Sequence, residues 1–401
     1  MGKQSAAIAG FTEWAPERIP ETPMFPMEAA AQLAAEVIAD AGFEKDEVDG
    51  LLVGNPLMES PLFAPSALAE YLGVGCNFGE VVDLGGATGC GMVWRAAAAI
   101  EVGVCETALV LCPMPMPPMP PATQGEPGPM RMPAYLGGDV WGSPQALYDI
   151  PSGLAAATPS FAMAASRYMA HWGVAPETLA KVAVQQRHNA SGNPKAIFRD
   201  KPITIEDVLA SRIVADPLHL LEIVMPCFGG AALLVTSAER AARGPNRPVR
   251  VSGYGERITH RNLTWAPDML DTPVRAAAER AFRMAGTHRE AVDLASMYDC
   301  YTITILLTIE DAGFCPKGQG GAFIEEHDLR FDGGDWPLNT HGGQLGMGQA
   351  GTAGGLSHVV DVVQQIQGRA GERQLPKADL AYANGTGGML AEQVALILEG
   401  A

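Results

Sequence analysis

Positive charge is scarce in this chain of 401 residues: 27 lysines and arginines stand against 45 aspartates and glutamates, which gives a formal net charge of −18. A surface of that sign repels phosphate backbones and anionic lipid surfaces. We therefore expect neither nucleic acid nor a membrane as a partner. A substrate that carries phosphates needs a local basic pocket or a second subunit to hold it.

Paired cysteines and long apolar runs are also absent. The seven cysteines include no CxxC pair, which argues against a disulfide framework and a zinc ribbon, and we expect no metal site. No run approaches the ~18 apolar residues of a membrane span, and the first residues lack the pattern of a signal peptide. These absences predict a cytoplasmic protein. Because 47% of the residues are hydrophobic, the chain can bury a large core.

The most informative feature that is present is an internal repeat. The stretch AAAQLAAEVIADAGFEKDEVDGLLV, residues 29–53, aligns without a gap on PVRAAAERAFRMAGTHREAVDLASM, residues 273–297. In each copy an Ala-rich amphipathic helix ends at Ala-Gly, a common helix stop, and a Val-Asp pair then introduces an apolar strand. The repeat predicts two similar α/β halves.

Each half continues with a Gly-rich junction between a strand and a helix, VVDLGGATGCGMVWRAAAAI at 81–100 and LNTHGGQLGMGQAGTAGGLSHVV at 338–360, and then a further apolar strand. Strands that alternate with helices predict parallel sheets covered by helices. The polar run ERAARGPNRP, 239–248, has the composition of a linker. We place the N-terminal half at residues 1–245 and the C-terminal half at 246–401.

The region from about residue 112 to 220 has no counterpart in the second half. It opens with the Pro- and Met-rich run PMPMPPMPPATQGEPGPMRMP and continues into two helical segments, FAMAASRYMAHW and ETLAKVAVQQRHNA. We interpret it as an inserted lid. Its methionines either form an adaptable apolar wall over a bulky substrate or pack on the chain's own core or on another subunit.

The first Gly-rich junction lacks the Lys-Ser/Thr pair of a phosphate-binding loop. The backbone N–H groups of Gly85, Gly86 and Ala87 lie at a helix start, where they can hold an oxyanion or a carbonyl oxygen. A tight turn without a binding role is the alternative.

Several ordered motifs carry a resemblance to a known family. YDCY at 298–301, GFCPKGQGG at 313–321, WPLNTHGGQLG at 336–346, SRIVADPLHLLE at 211–222 and AALLVTSAERA at 231–241 resemble the thiolase superfamily, in particular the sterol-carrier-type thiolases. The resemblance covers essentially the whole chain. It implies the thiolase fold, with two pseudo-repeated βαβαβαββ halves in five layers, α-β-α-β-α, and an inserted lid in the first half. It also implies a homodimer.

The chain departs from a thiolase at all four catalytic positions. Gly86 stands in place of the acyl-accepting cysteine, Tyr298 and Gln349 in place of two histidines, and Asn384 in place of the second cysteine. Neither glycine nor asparagine can replace a thiolate that carries an acyl group or moves a proton. Cys90, one helical turn after Gly86, is a possible displaced nucleophile, although buried helix cysteines usually only pack.

This replacement pattern resembles a narrower branch, the thiolase-like retro-aldolases that shorten steroid side chains as CoA thioesters. It implies cleavage of a β-hydroxyacyl-CoA to a short acyl-CoA and a ketone or aldehyde, without a covalent acyl-enzyme. In that branch the tyrosine matching Tyr298 is catalytic, and a second catalytic tyrosine falls at Gln349. We assign the proton step to Tyr298, with a structural hydrogen bond as the alternative. Gln349 would position substrate, His341 would orient a nearby group, and residues 85–87 would hold the enolate oxygen.

The resemblance makes CoA the expected ligand, as part of the substrate, with no covalently bound cofactor. The basic residues of RHNASGNPKAIFRDK, 187–201, either hold the CoA phosphates or lie on a solvated loop. The remaining histidines are expected on the surface: His171, His188, His219, His260, His288, His327 and His358.

Similar aldolases imply a small partner protein with an OB-fold and a zinc ribbon. Two other interpretations stay open. The chain is either a catalytically silent thiolase-like subunit or acyl-CoA-binding protein, or an active thiolase or acyltransferase that uses Cys90.

Overall fold

A computed structural model of the chain describes residues 5–54, 63–118, 145–154 and 156–401. The N-terminal half alternates strands and helices up to a fourth strand: β1 Ala6–Glu13, α1 Pro26–Ala41, β2 Gly50–Gly54, α2 Ala64–Leu72, β3 Phe78–Val82, α3 Thr88–Glu101 and β4 Thr107–Met114. The inserted region then contributes α4 Ala157–Trp172, α5 Pro176–Ser191, α6 Ile205–Ala210, β5 Ile213–Ala215 and β6 Leu218–His219, before β7 Gly229–Ser237 and α7 Ala238–Ala241 return to the half.

The C-terminal half repeats the order of the first with one change. Its elements are β8 Val249–Ile258, α8 Val274–Ala285, β9 Leu294–Met297, α9 Thr302–Ala312, α10 Gly320–Glu326, α11 Gly343–Met347, α12 Gly351–Ile366, β10 Leu380–Gly387 and β11 Glu392–Gly400. The repeated helices α1 and α8 end as expected, at Gly42 and Gly286 in left-handed conformation. The third strand of the βαβαβαββ pattern is reduced in this half to a single bridge between Leu338 and Ala295.

All the main strands belong to one sheet of mixed direction, in the order β3-β2-β4-β7-β1-β8-β11-β10-β9. The pairs β2–β3, β2–β4 and β9–β10 are parallel, as the alternation of strands and helices predicts, and the other pairs between the main strands are antiparallel. The reason is connection length: the short turn from β10 to β11 returns the chain antiparallel, whereas parallel neighbours need a crossover helix. The two halves meet where Ala7 and Ile8 of β1 pair with Arg250 and Val249 of β8.

The short β1–β8 pairing joins the strands of the two halves, which form the two β layers of the five-layer α-β-α-β-α arrangement. One outer layer contains α1 and α2 and the other contains α8 and α9, while α3 and α12 pack on each other and on strands of both halves. Because α12 is enclosed on all sides, every residue from Thr352 to Ile366 is buried. A side chain in this middle layer can therefore contact elements of either half.

The two predicted helical segments of the inserted region are present as α4 and α5. Residues 119–144 of the proposed lid lie outside the described residues, so its role stays a prediction, as do the half boundaries at 245 and 246. No helix of the described part of the chain is long and apolar enough to cross a membrane.

The strand β8 shows how glycine spacing sets a helix-sheet distance. A Cβ added to Gly253 would lie 2.1 Å from the carbonyl oxygen of Ala281, and one on Gly255 would lie 2.1 Å from that of Ala277. Both carbonyls belong to α8. Glycine at every second position therefore lets this strand face approach the helix backbone directly.

We predict that Gly255→Ala destabilises the protein by about 1–3 kcal/mol, because the new methyl group must push β8 and α8 apart. Thermal unfolding measures the effect as a lower melting temperature. The control is Gly75→Ala, since no atom lies within 4 Å of the Cβ it would add. Equal melting temperatures for the two variants would show that the close approach of β8 and α8 is not required.

Candidate active site

The site forms where one junction of each half meets the other. These junctions are the Gly-rich turn after β3 and the aromatic segment after β9. Tyr298 follows β9 directly, and Gly86 lies in the turn between β3 and α3. Tyr298 is only 3% exposed. A Cβ on Gly86 would lie 2.2 Å from Tyr298 Cζ and 2.4 Å from the carbonyl oxygen of Thr386. No side chain therefore fits at position 86 while the Tyr298 ring occupies this place.

Gln349 completes this contact from the end of the loop that precedes α12. Its Nε2 donates a hydrogen bond to the Tyr298 hydroxyl oxygen, at 2.7 Å. The main chain of Gln349 is fixed on both sides, because its N–H donates to the Met225 carbonyl at 2.9 Å and its carbonyl accepts from the Cys227 N–H at 2.8 Å. A donor held against a phenol oxygen stabilises negative charge on that oxygen.

The turn at residues 85–87 offers fewer free donors than the sequence predicts. The Ala87 N–H donates to the Leu84 carbonyl at 2.9 Å, and the Gly85 N–H lies 3.4 Å from Asp83 Oδ1. The bond from Ala87 to Leu84 closes the single 3₁₀ turn that leads into α3. The Ala87 N–H is therefore engaged within the turn. The oxyanion role of Gly85, Gly86 and Ala87 stays a prediction, with the Gly86 N–H as the candidate donor.

Asn384 lies on the strand beside the site but does not join the Tyr298–Gln349 contact. It stands in β10 opposite Met297, the residue before Tyr298. Its Nδ2 donates to the Val394 carbonyl at 3.1 Å, and its Oδ1 accepts from Thr386 Oγ1 at 3.3 Å. The amide is thus engaged within the sheet, where it ties β10 to β11.

His341 is placed behind the site. It is buried, and its Nδ1 lies 3.1 Å from Asp361 Oδ2. Burial lowers the pKa of His341, but the Asp361 carboxylate outweighs this effect, so the pKa is raised overall. Its ring is 5.1 Å from the ring of His358, which in turn is 5.9 Å from the Tyr298 ring. His341 thus neighbours His358, which packs near the Tyr298 ring.

His358 is the residue that sequence reasoning misplaced. It was expected on the surface, yet it is fully buried on α12, and burial lowers its pKa so that the neutral imidazole is favoured. The Nδ1 atom is 3.0 Å from Ser296 Oγ, and Nε2 is 3.4 Å from Asp299 Oδ1. The signal in the sequence was the helix itself, GLSHVVDVVQQI, which is too apolar for a surface helix. The other six histidines of that group are exposed or half-buried.

The cysteines near the site are poor nucleophiles. Cys90 is completely buried on α3, and burial raises its pKa to about 12. Cys227, beside Gln349, has a pKa raised to about 11 by burial. Since the thiolate is the reactive form, neither side chain is prepared for acyl transfer near neutral pH.

Basic side chains of the segment 187–201 make contacts within the chain itself. Arg187 stacks over Phe198 at 4.0 Å and donates to the Lys201 carbonyl at 2.8 Å. It is 5% exposed, and burial lowers its pKa to about 10. Lys195 donates to the main-chain carbonyl of Glu13. These contacts leave the exposed Lys201 side chain, more than Arg187, accessible to a phosphate.

Two surface hollows lie away from this cluster. One, of about 290 Å³, is beside Arg257 and Arg275, and the other, of about 710 Å³, runs along α4 at Met163 and Arg167. Neither is lined by Tyr298 or Gln349. Over the described ranges, no group of three or more acidic, histidine or cysteine side chains is placed to hold a metal ion.

Known proteins share this architecture over the whole chain. Residues 255–400 match the family described as thiolase C-terminal domain-like. A steroid side-chain-cleaving aldolase from Thermomonospora curvata is 31% identical over 398 residues, 96% of this chain and 95% of that protein. A 17-hydroxy-3-oxo-4-pregnene-20-carboxyl-CoA lyase from Mycobacterium tuberculosis is 30% identical over 353 residues, 85% of this chain and 86% of that protein. A solved Ltp2-ChsH2(DUF35) aldolase superposes with a TM-score of 0.85 at 28% identity, over 99% of this chain and 98% of that chain.

The chain therefore belongs to the thiolase superfamily. Within the superfamily it is close to the side-chain-cleaving aldolases, which it matches along nearly its whole length, in agreement with the replacement of the thiolase cysteines.

We predict that Gly86→Ala displaces the Tyr298 ring, because the added methyl group would overlap it. A crystal structure of the variant should show the bond between Tyr298 and Gln349 broken or lengthened beyond hydrogen-bond distance, with a lower melting temperature. Gly75→Ala again provides the control for a glycine with open space. An unmoved Tyr298 ring in Gly86→Ala would contradict the steric coupling of these two positions.

Proposed function

We propose that the chain is a lyase that cleaves a β-hydroxyacyl-CoA by a retro-aldol reaction, with no covalent acyl-enzyme. The observation that carries the proposal is the packing of the Tyr298 ring on Gly86. The ring occupies the space that a nucleophilic side chain at position 86 would need. Its hydroxyl oxygen, which accepts a hydrogen bond from Gln349, is the reactive group in place of that nucleophile. The aldolase and lyase names of the full-length relatives support this class of reaction.

The proposed chemistry is a proton transfer coupled to cleavage of one carbon–carbon bond. Tyr298, as phenolate, accepts the proton of the β-hydroxyl group, and the β-carbon becomes a ketone or an aldehyde. The electrons of the broken Cα–Cβ bond pass into the thioester as an enolate. The α-carbon then accepts a proton, which Tyr298 can return, and a shorter acyl-CoA leaves.

Two neighbouring groups support the charges of this reaction. The Gln349 amide steadies the phenolate oxygen, and it cannot itself titrate. The Gly86 N–H is the proposed donor to the enolate oxygen. His341 contacts neither the Gln349 amide nor the Gly86 N–H. We therefore assign it a structural role in the buried polar network around Asp361.

The finer features of the proposal concern substrate and partner. We propose a bulky, steroid side-chain-like acyl group, a homodimer, and a small OB-fold/zinc-ribbon partner. The solved aldolase named for its DUF35-containing complex supports a partner of this kind. We propose that the protein recognises the CoA part of the substrate and uses no other cofactor. A cytoplasmic location stays a prediction.

A catalytically silent subunit is the second candidate. The observation that favours it is Gln349, because the aldolase branch resembled by the sequence has a second tyrosine there. An acyltransferase is disfavoured, because position 86 has no room for a side chain and burial holds the pKa of Cys90 at about 12.

We predict that Tyr298→Phe lowers turnover by roughly 100- to 10,000-fold, the usual contribution of a general acid or base. The ring is retained, so the melting temperature should change little. The assay is release of a short acyl-CoA and a carbonyl product from a β-hydroxyacyl-CoA, with the partner protein added. A wild-type rate for Tyr298→Phe would refute the assigned role, and an inactive unmodified protein would favour the silent subunit.

We predict that Cys90→Ala retains most of the activity. The buried thiol has no thiolate to offer, and its loss leaves only a small cavity. Intact-mass measurement after incubation with acyl-CoA should show no adduct on the unmodified protein. A stoichiometric adduct on Cys90 that turns over would replace the lyase proposal with a thiolase.

A further inference from the structure

We propose that Asp299 is the positioning residue of this site and that it holds the Tyr298 ring against Gly86 and Gln349. The inference rests on the proposed function and deepens it. Asp299 follows Tyr298 in the chain and is fully buried. Its carboxylate bonds to the loop that leads to Gln349, so one side chain connects both partners of the hydrogen bond.

The first contact is with the main chain of α11. The Gln344 N–H donates to Asp299 Oδ1 at 2.7 Å, and the Leu345 N–H lies 3.2 Å from Oδ2. One turn later the Gly348 N–H donates to the Gln344 carbonyl at 3.0 Å, and Gln349 follows. The position of Gln349 is therefore linked to Asp299 through a single rigid turn.

The loop is shaped to let the carboxylate approach. Gly343 has a φ of 57°, and a Cβ there would lie 2.0 Å from Asp299 Oδ2. Any side chain at this position would push the carboxylate away. Gly343 thus serves the Asp299 contact directly, whereas a Cβ on Gly342 would meet Ala190 of α5 at 2.7 Å.

The second contact is with His358, on the side of the ring that faces α12. The Nε2 of His358 lies 3.4 Å from Asp299 Oδ1 and 3.2 Å from Gln344 Nε2. The same imidazole packs 5.9 Å from the Tyr298 ring, centroid to centroid. Asp299 therefore restrains the phenol through the adjacent main chain, and His358 restrains it by packing against the ring. Neither side chain bonds to the Tyr298 hydroxyl group.

The chain contains a matched buried aspartate with no link to the phenol. Asp311, at the end of α9, is also buried and also accepts a main-chain N–H, from Thr272 at 2.9 Å. Its other partners are Arg275 and Lys317. Asp299 and Asp311 thus allow a comparison between a buried carboxylate near the site and one that only supports the fold.

The test compares Asp299→Asn with Asp311→Asn by activity and thermal unfolding. We expect both variants to lose stability, but only Asp299→Asn to lose kcat, by about 10- to 100-fold with KM changed less than about threefold, as for a displaced catalytic group. In a Tyr298→Phe background, Asp299→Asn should lower kcat by less than about threefold further, because it acts through that hydroxyl.

A crystal structure of Asp299→Asn provides a measurement that does not depend on activity. We expect the distance from Tyr298 Oη to Gln349 Nε2 to exceed 3.5 Å. An unmoved ring and an intact bond would overturn the positioning role, as would equal losses of kcat in the two aspartate variants.

If the wild type cleaves no β-hydroxyacyl-CoA, the proposed function fails, and the crystal structure still decides whether Asp299 holds the ring. If Asp299→Asn does not fold, Gly343→Ala, whose Cβ would lie 2.0 Å from Asp299 Oδ2 and push the carboxylate away, gives the same comparison.

Discussion

The contact between the Tyr298 ring and the Cα of Gly86 constrains the whole site. A side chain at position 86 and a phenol at position 298 cannot occupy this place together, because a Cβ would come within 2.2 Å of the ring. The two residues belong to different halves of the chain. The replacement of a cysteine by glycine is therefore more than the loss of a nucleophile, since it makes room for the Tyr298 ring, to which we assign the proton step.

The middle helix layer supports this contact with buried polar groups. On α12, Asp361 lies against His341 and Arg373, and these two basic groups hold the pKa of Asp361 well below the usual range in spite of burial. On β1 of the other half, burial raises the pKa of Glu13, whose carboxylate accepts a hydrogen bond from Ser357 of α12. Buried charges of this kind are tolerated when they are paired and hydrogen-bonded. They also fix α12 relative to both halves, and with it the loop that presents Gln349.

Sequence reasoning succeeded where local pattern and burial agree. The repeated helices with their terminal glycines, the inserted helices α4 and α5, and the proximity of Gly86, Tyr298 and Gln349 follow from motifs and from the resemblance that they carry. It failed for His358, because a single polar residue on a helix is placed on the surface by default. It also could not show which N–H groups of the turn at 85–87 are engaged, since this depends on whether the turn closes on itself, as it does through Leu84 and Ala87.

The sequence by itself determined the α/β class, the two-half organisation and the absence of the thiolase nucleophiles, because these depend on residue identity and on periodicity along the chain. The tertiary structure decided which replacements act together. Tyr298 and Gln349 are 51 positions apart and share a hydrogen bond, while Asn384 is engaged by its own sheet and His341 lies against Asp361. Such choices depend on distances of a few tenths of an ångström between elements of both halves, and no local pattern encodes them.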